Sequence, residues 1–183
     1  MGIHRRRIIY RINEADQVVE LGEEWNDFAH QKDAPQLTKE NIVSLPIWHF
    51  IHDPETRHFH ETLLLKVRRN RSTLSVPFRC DSPAVRRYMT MNINPLPRNA
   101  VEYRCQIDRL EPRESVPLLA NQTSEGETFI RMCSWCKKID CGRNHWLEVE
   151  AAIAKLGLFE LATLPRISHT ICDDCRRKVM SSM

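Results

Sequence analysis

Four cysteines of this 183-residue chain stand in two C-x-x-C pairs, Cys133-Ser134-Trp135-Cys136 and Cys172-Asp173-Asp174-Cys175. The 35 residues 137–171 separate the pairs. A C-x-x-C turn aims two sulfurs at one point, and two such turns complete a tetrahedral all-sulfur site for Zn²⁺. The spacing therefore predicts that Cys133, Cys136, Cys172 and Cys175 meet and that a structural metal organises the C-terminal third. A redox dithiol would need only one pair, in a strand–C-x-x-C–helix context; an iron–sulfur cluster is the other alternative. Cys141, His145 and His169 lie near enough in sequence to stand in as donors. The two pairs are preferred because they share the same two-residue spacing. His169 reads better as a hydrogen-bond donor to a ligand sulfur. Four thiolates leave no open coordination position, which argues against hydrolytic chemistry.

The composition, 42% hydrophobic and 28% charged, suits a packed core and is too apolar for disorder. No window approaches eighteen consecutive apolar residues, so no membrane span is expected. The run Met1-Gly2-Ile3-His4-Arg5-Arg6-Arg7 is followed by no long apolar stretch, so no signal peptide is expected. Arg6 stands where myristoylation would want Ser or Thr. The expected compartment is a reducing cytoplasm, where paired cysteines are metal or redox sites rather than disulfides. Residues 129–183 carry nine Lys/Arg and six Asp/Glu. A zinc tetrathiolate would remove most of that excess, a poor footprint for nucleic acid.

Three runs of period two follow one another in the middle of the chain: Leu74–Cys80, Arg87–Ile93 and Val101–Asp108. Separated by turn-type breaks, they predict an antiparallel meander with one buried face. Cys80 and Cys105 fall on that apolar face as small hydrophobes. Pro77 removes a ladder donor and marks its strand as an edge or a bulge. Ahead of the meander, Asp53 and Pro54 start a helix over 54–69 whose apolar residues are Phe59, Leu63, Leu64 and Val67. Earlier come a hairpin-like pair, Ile8–Ile12 and Gln17–Leu21, and a short helix containing Trp25, Phe28 and Ala29. Short helices and turns are expected over Leu37–Ile51. The pattern dissolves at Glu111 into a linker, although Val116, Leu118 and Leu119 can dock on a domain surface. Beyond it, Asn144 is read as the cap of a helix bearing Trp146, Val149, Ile153 and Leu156. Cys172 and Cys175 open a last short helix over Asp173–Met180, whose N-terminus favours thiolate.

The order of two strands, short helices, a longer helix and three strands resembles a PAS domain. The matching residues are Asp16–Leu21, Glu24–Ala29 and Ile47-Trp48-His49-Phe50-Ile51. The resemblance implies an α+β fold, a five-stranded antiparallel sheet with helices on one face, and any ligand pocket between sheet and long helix. The reactive cysteine in an Asn-Cys-Arg context, found in the flavin-binding subset, is absent, which argues against covalent flavin photochemistry. His58 or His60 could imitate the haem-ligating histidine of some PAS sensors. His49 and His52 lack a carboxylate or cysteine spaced to complete a metal site. Residues 131–178 resemble a cysteine-rich module that follows PAS or receiver domains in bacterial signalling proteins. They carry Cys133-Ser134-Trp135-Cys136-Lys137-Lys138-Ile139 and Ser168-His169-Thr170-Ile171-Cys172-Asp173-Asp174-Cys175, with Thr170 and Asp173 replacing the usual Gly and Pro.

The expected organisation is a PAS-like domain over 5–113, a linker over 114–128 and a small treble-clef-like zinc domain over 129–183. No nucleophile, phosphate-loop or dinucleotide motif is present, so no catalytic residue is assigned. The resemblances imply a cytoplasmic, non-enzymatic signalling protein acting through dimerisation or a protein partner. A zinc-dependent nucleic-acid-binding regulator is one alternative; it needs Lys137-Lys138 and Arg176-Arg177-Lys178 on one face. A haem or redox sensor is the other.

Overall fold

The computed structural model describes residues 7–31, 35–120, 128–161 and 163–181. Residues 1–6, which hold most of the N-terminal basic run, and 121–127, part of the expected linker, lie outside them. The described residues divide into two compact units, Met1–Phe78 with Tyr88–Arg109, and Arg79–Arg87 with Leu110–Met183.

The first unit holds the strands β1 (Arg7–Ile12) and β2 (Val18–Leu21) and most of β3 (Leu74–Arg79), β4 (Val85–Pro95) and β5 (Val101–Pro112), of which Arg79, 85–87 and 110–112 fall in the second unit. They form a five-stranded antiparallel sheet in the order β2-β1-β5-β4-β3. β3 is an edge strand, as Pro77 requires. The β1–β2 turn closes on Asn13, whose Oδ1 accepts from the backbone of Ala15 and Gln17 at 3.0 Å, and Asp16 takes a left-handed φ of 62°. Helices α1 (Trp25–Gln31) and α2 (Lys39–Ile42), with single 3₁₀ turns at Pro35–Leu37 and Ile47–Phe50, precede α3 (Pro54–Asn70). Asp53 caps α3 by accepting from the Thr56 N–H at 2.6 Å, and Pro54 occupies the first turn. Phe59, Leu63, Leu64 and Val67 are buried. Each such side chain contributes about 1.5–3 kcal/mol.

The alternation in the strands holds for apolar residues: Val76, Met89, Met91, Ile93, Val101, Tyr103 and Cys105 are buried. It does not foresee a buried Glu102. The β1–β5 register sets Arg11 directly opposite Glu102, and the carboxylate accepts from Arg11 at 2.9 Å and Arg104 at 2.7 Å. A cross-strand ion pair thus covers the polar side of β5. Cys80 departs from expectation too. It lies just past the end of β3 and is only partly buried.

The second unit contains β6 (Phe129–Cys133), β7 (Ile139–Asp140), β8 (Trp146–Leu147), α4 (Val149–Leu156), β9 (Arg166–Thr170) and α5 (Asp173–Ser181). Its four-stranded sheet has the order β8-β7-β6-β9. Val116, Leu118, Met132, Ile139, Val149, Ala152, Ile153 and Leu158 form its core. Val116 and Leu118 come from the segment expected as linker, through a 3₁₀ turn at Pro117–Leu119. Asn144 does not cap a helix. Gly142, Arg143 and Asn144 all take positive φ, so the chain reverses there into the β7–β8 hairpin. Trp146 is consequently in a strand, and α4 begins after Glu148.

A group of buried charges also belongs to this unit. The side chains of Asp81, Arg113 and Arg79 are only 1%, 5% and 7% exposed. Asp81 pairs with Arg79 and lies 3.5 Å from Arg113. Arg79 reaches Glu148 at 2.6 Å, and Arg113 reaches Glu150 at 3.2 Å. Both glutamates stand at the start of α4, where the helix dipole favours negative charge. Removing one partner leaves the others buried and uncompensated. Asp81→Ala is therefore expected to lower unfolding free energy by about 3–5 kcal/mol in urea. Glu148→Ala, at a half-exposed carboxylate, should cost only about 1 kcal/mol or less.

Candidate functional site

Parallel pairing of β6 with β9 brings the two cysteine pairs together. Phe129 faces Arg166, and the register runs to Cys133 opposite Thr170. Parallel neighbours finish at the same end of a sheet. The first C-x-x-C begins on the last residue of β6, and the second begins two residues after the last residue of β9. The Ser134 N–H donates to the Thr170 carbonyl at 2.7 Å, joining the two turns.

The first pair forms a tight knuckle. Lys137 N–H donates to the Cys133 carbonyl at 3.0 Å, and Cys133 N–H to the Lys138 carbonyl at 2.8 Å. Lys137 reverses the chain with a φ of 62°, a left-handed position. The second pair starts α5: Cys172 immediately precedes the helix, and its carbonyl accepts from the Arg176 N–H at 3.0 Å. The positive end of the helix dipole favours thiolate there.

The ligand atoms of Cys133, Cys136, Cys172 and Cys175 all lie within 4.8 Å of one another. Cys136 Sγ and Cys172 Sγ are 3.8 Å apart. A tetrahedron with Zn–S bonds of about 2.3 Å has an edge of about 3.8 Å. That separation is far beyond a disulfide bond of about 2.05 Å. The Cys172 backbone N–H points at Cys133 Sγ, 3.4 Å away, a donor oriented toward sulfur. The donor set therefore fits a divalent metal.

The electrostatics point the same way. Hydrogen bonds from Cys136, Cys172 and Cys175 hold the Cys133 thiol far below the usual thiol range. Hydrogen bonding to Cys133 first, then to Cys136 and Cys172, drives Cys175 far up. Cys172 is lowered as well and Cys136 raised, so the four converging thiols resist full ionisation. A cation among them relieves that repulsion.

The other donors lie outside the quartet. Cys141 and His145 belong to the β7–β8 turn, where the Cys141 N–H donates to the His145 carbonyl at 2.8 Å. His169 is exposed on β9. Among the described residues, the four cysteines are the one group of three or more His, Cys, Asp or Glu placed to hold a metal. His49 and His52 are exposed and join no such group.

The first unit contains a cavity of about 170 Å³ lined by residues of β1, β2, β5, α1, α2 and α3 and the turns between them. Tyr10 and Tyr103 stack in its wall at 4.5 Å, and Trp25 meets Tyr10 edge-on at 5.8 Å. His60 lines it, whereas His58 is exposed. The resemblance implied that any pocket would lie between sheet and long helix; its lining was not legible, because it depends on side chains from six separate elements.

Burial lowers the His60 pKa to about 4 from its ordinary 6.5. Between those values the unfolded chain binds a proton that the folded chain refuses. The stability contributed by neutral His60 is full above pH 6.5 and is lost as pH falls toward 4. His60→Leu should flatten the stability profile across that window, measured by denaturant unfolding at stepped pH. An unchanged slope would contradict the neutral assignment of His60. Comparison of the chain with protein-family models, curated proteins and solved structures gives no significant match.

Proposed function

We propose that the chain is a non-enzymatic bacterial signal-transduction protein, with a PAS-like sensing or dimerisation domain and a structural zinc module. The observation that carries the reading is the convergence of four cysteine sulfurs at the spacing of a zinc tetrathiolate. A site closed by four thiolates has no coordination position for substrate, so its part is to hold β6, β9 and α5 together. A knuckle on a β-hairpin plus a cysteine pair at a helix start is the layout expected of a treble-clef-like domain. The element order of the first unit and its cavity between sheet and helices support the sensing half. By the same resemblance, the output passes through a second copy or a signalling partner in the cytoplasm. Among the described residues no helix is long and apolar enough to cross a membrane.

Elemental analysis and an absorption spectrum on one freshly purified sample test this reading. One zinc per chain and no Soret, flavin or iron–sulfur band are expected. Stripping the metal with a chelator, or Cys175→Ser, should unfold the second unit cooperatively. Folded protein without zinc, or a charge-transfer band in the visible, would overturn it.

A further inference from the structure

The end of α4 leaves a large apolar side chain in solvent. Gly157 closes the helix in a left-handed conformation, with φ 62°, and a single 3₁₀ turn, Leu158–Glu160, follows. Neighbouring side chains of that turn have opposite fates: Leu158 is 4% exposed, whereas Phe159 is 77% exposed. Leu156 and Leu161, on either side, are exposed too. Isolated exposed apolar residues are ordinary, but large ones gathered in one short segment mark a contact surface.

Phe159 and Leu161 border a groove of about 140 Å³ in the second unit, whose remaining lining is Pro117, Leu118, Ile153, Leu158 and Leu164. Leu118, Ile153 and Leu158 belong to the core of that unit, so the groove opens onto the core itself. No lining side chain carries a charge or a hydrogen-bonding group. A polar or charged occupant would therefore lose its hydration without recompense. An apolar cavity of about 150 Å³ admits benzene, so this groove has room for one phenyl ring.

The charged border of the patch complements itself. Lys155 and Glu160 stand on either side of Gly157, both exposed, and neither side chain pairs with another described residue. In a two-fold contact, residue i of one copy meets residue j of the other and the reverse, so a cation and an anion flanking one patch form two ion pairs.

We propose that this face is a two-fold contact between two copies of the chain. Phe159 of each copy enters the other's groove, and Lys155 of each faces Glu160 of the other. The assignment rests on the reading that output passes through a second copy, and specifies the surface that joins the copies. One aromatic anchor with a charged rim makes a small interface, at or below about 1,200 Å², so a Kd on the order of micromolar is expected.

Sedimentation equilibrium of the full-length protein, at stepped concentrations from about 1 to 100 µM, reads the association. A dimer is expected. Phe159→Asp should weaken it by at least about tenfold while leaving zinc content and circular dichroism unchanged, because the ring is exposed in a single copy. Lys155→Glu and Glu160→Lys should each weaken it roughly 3–10-fold by setting like charges across the contact. Combining the two should restore the dimer to within about twofold. Charge reversals that fail to rescue one another would overturn the two-fold arrangement. A dimer indifferent to Phe159→Asp would overturn this surface and leave the second-copy reading to another face. A chain that stays monomeric throughout would overturn both, leaving the groove to an apolar segment of a different partner and the zinc reading unaffected.

Discussion

The second unit depends on the parallel pairing of β6 with β9. The segment between these strands is long, and closing it costs chain entropy before any contact repays it. Five residue pairs in register, from Phe129–Arg166 to Cys133–Thr170, fix where the two strands end. Because they end together, two C-x-x-C turns distant in sequence face one another. A metal at that point would clamp the closed loop, and for structural zinc sites such binding is worth on the order of 10–16 kcal/mol at neutral pH. A domain of this size has little core to rely on otherwise. Met132, Ile139 and Val149 are fully or nearly fully buried, but the core they join is small.

The two units solve the problem of buried polarity differently. In the first, Glu102 is held by one cross-strand arginine and one neighbour on its own strand. In the second, Asp81, Arg79 and Arg113 are nearly excluded from solvent and continue to Glu148 and Glu150 at the start of α4. Such a cluster is weak support for stability relative to an apolar core, but its breakage is expensive. It also fixes the start of α4, whose Glu148 makes no side-chain cap bond of its own.

Elements whose cause is local were legible in the sequence. Asp53-Pro54 marked the start of α3, and period two marked β3, β4 and β5. The cysteine quartet was legible because C-x-x-C spacing is itself geometry. Elements whose cause is tertiary were not. Strand β9 reads Arg-Ile-Ser-His-Thr, without a clean alternation, and exists because β6 offers it a partner. Asn144 had the chemistry of a helix cap, but three successive positive-φ residues turned it into a hairpin corner. Arg79 falls at a polar position of its strand and is buried because Asp81 lies two residues away. The resemblance implied where a pocket would lie, but its lining was illegible for the same reason: Tyr103 and His60 line it only when β5 and α3 face the short helices.

The central claim is that Cys133, Cys136, Cys172 and Cys175 form a closed structural zinc site. X-ray absorption at the zinc edge of the purified full-length protein tests it most directly. The account predicts four sulfur scatterers at about 2.3 Å and no lighter atom in the first shell. A nitrogen or oxygen scatterer at about 2.0–2.1 Å would contradict it, because a histidine or a water would then have replaced a thiolate.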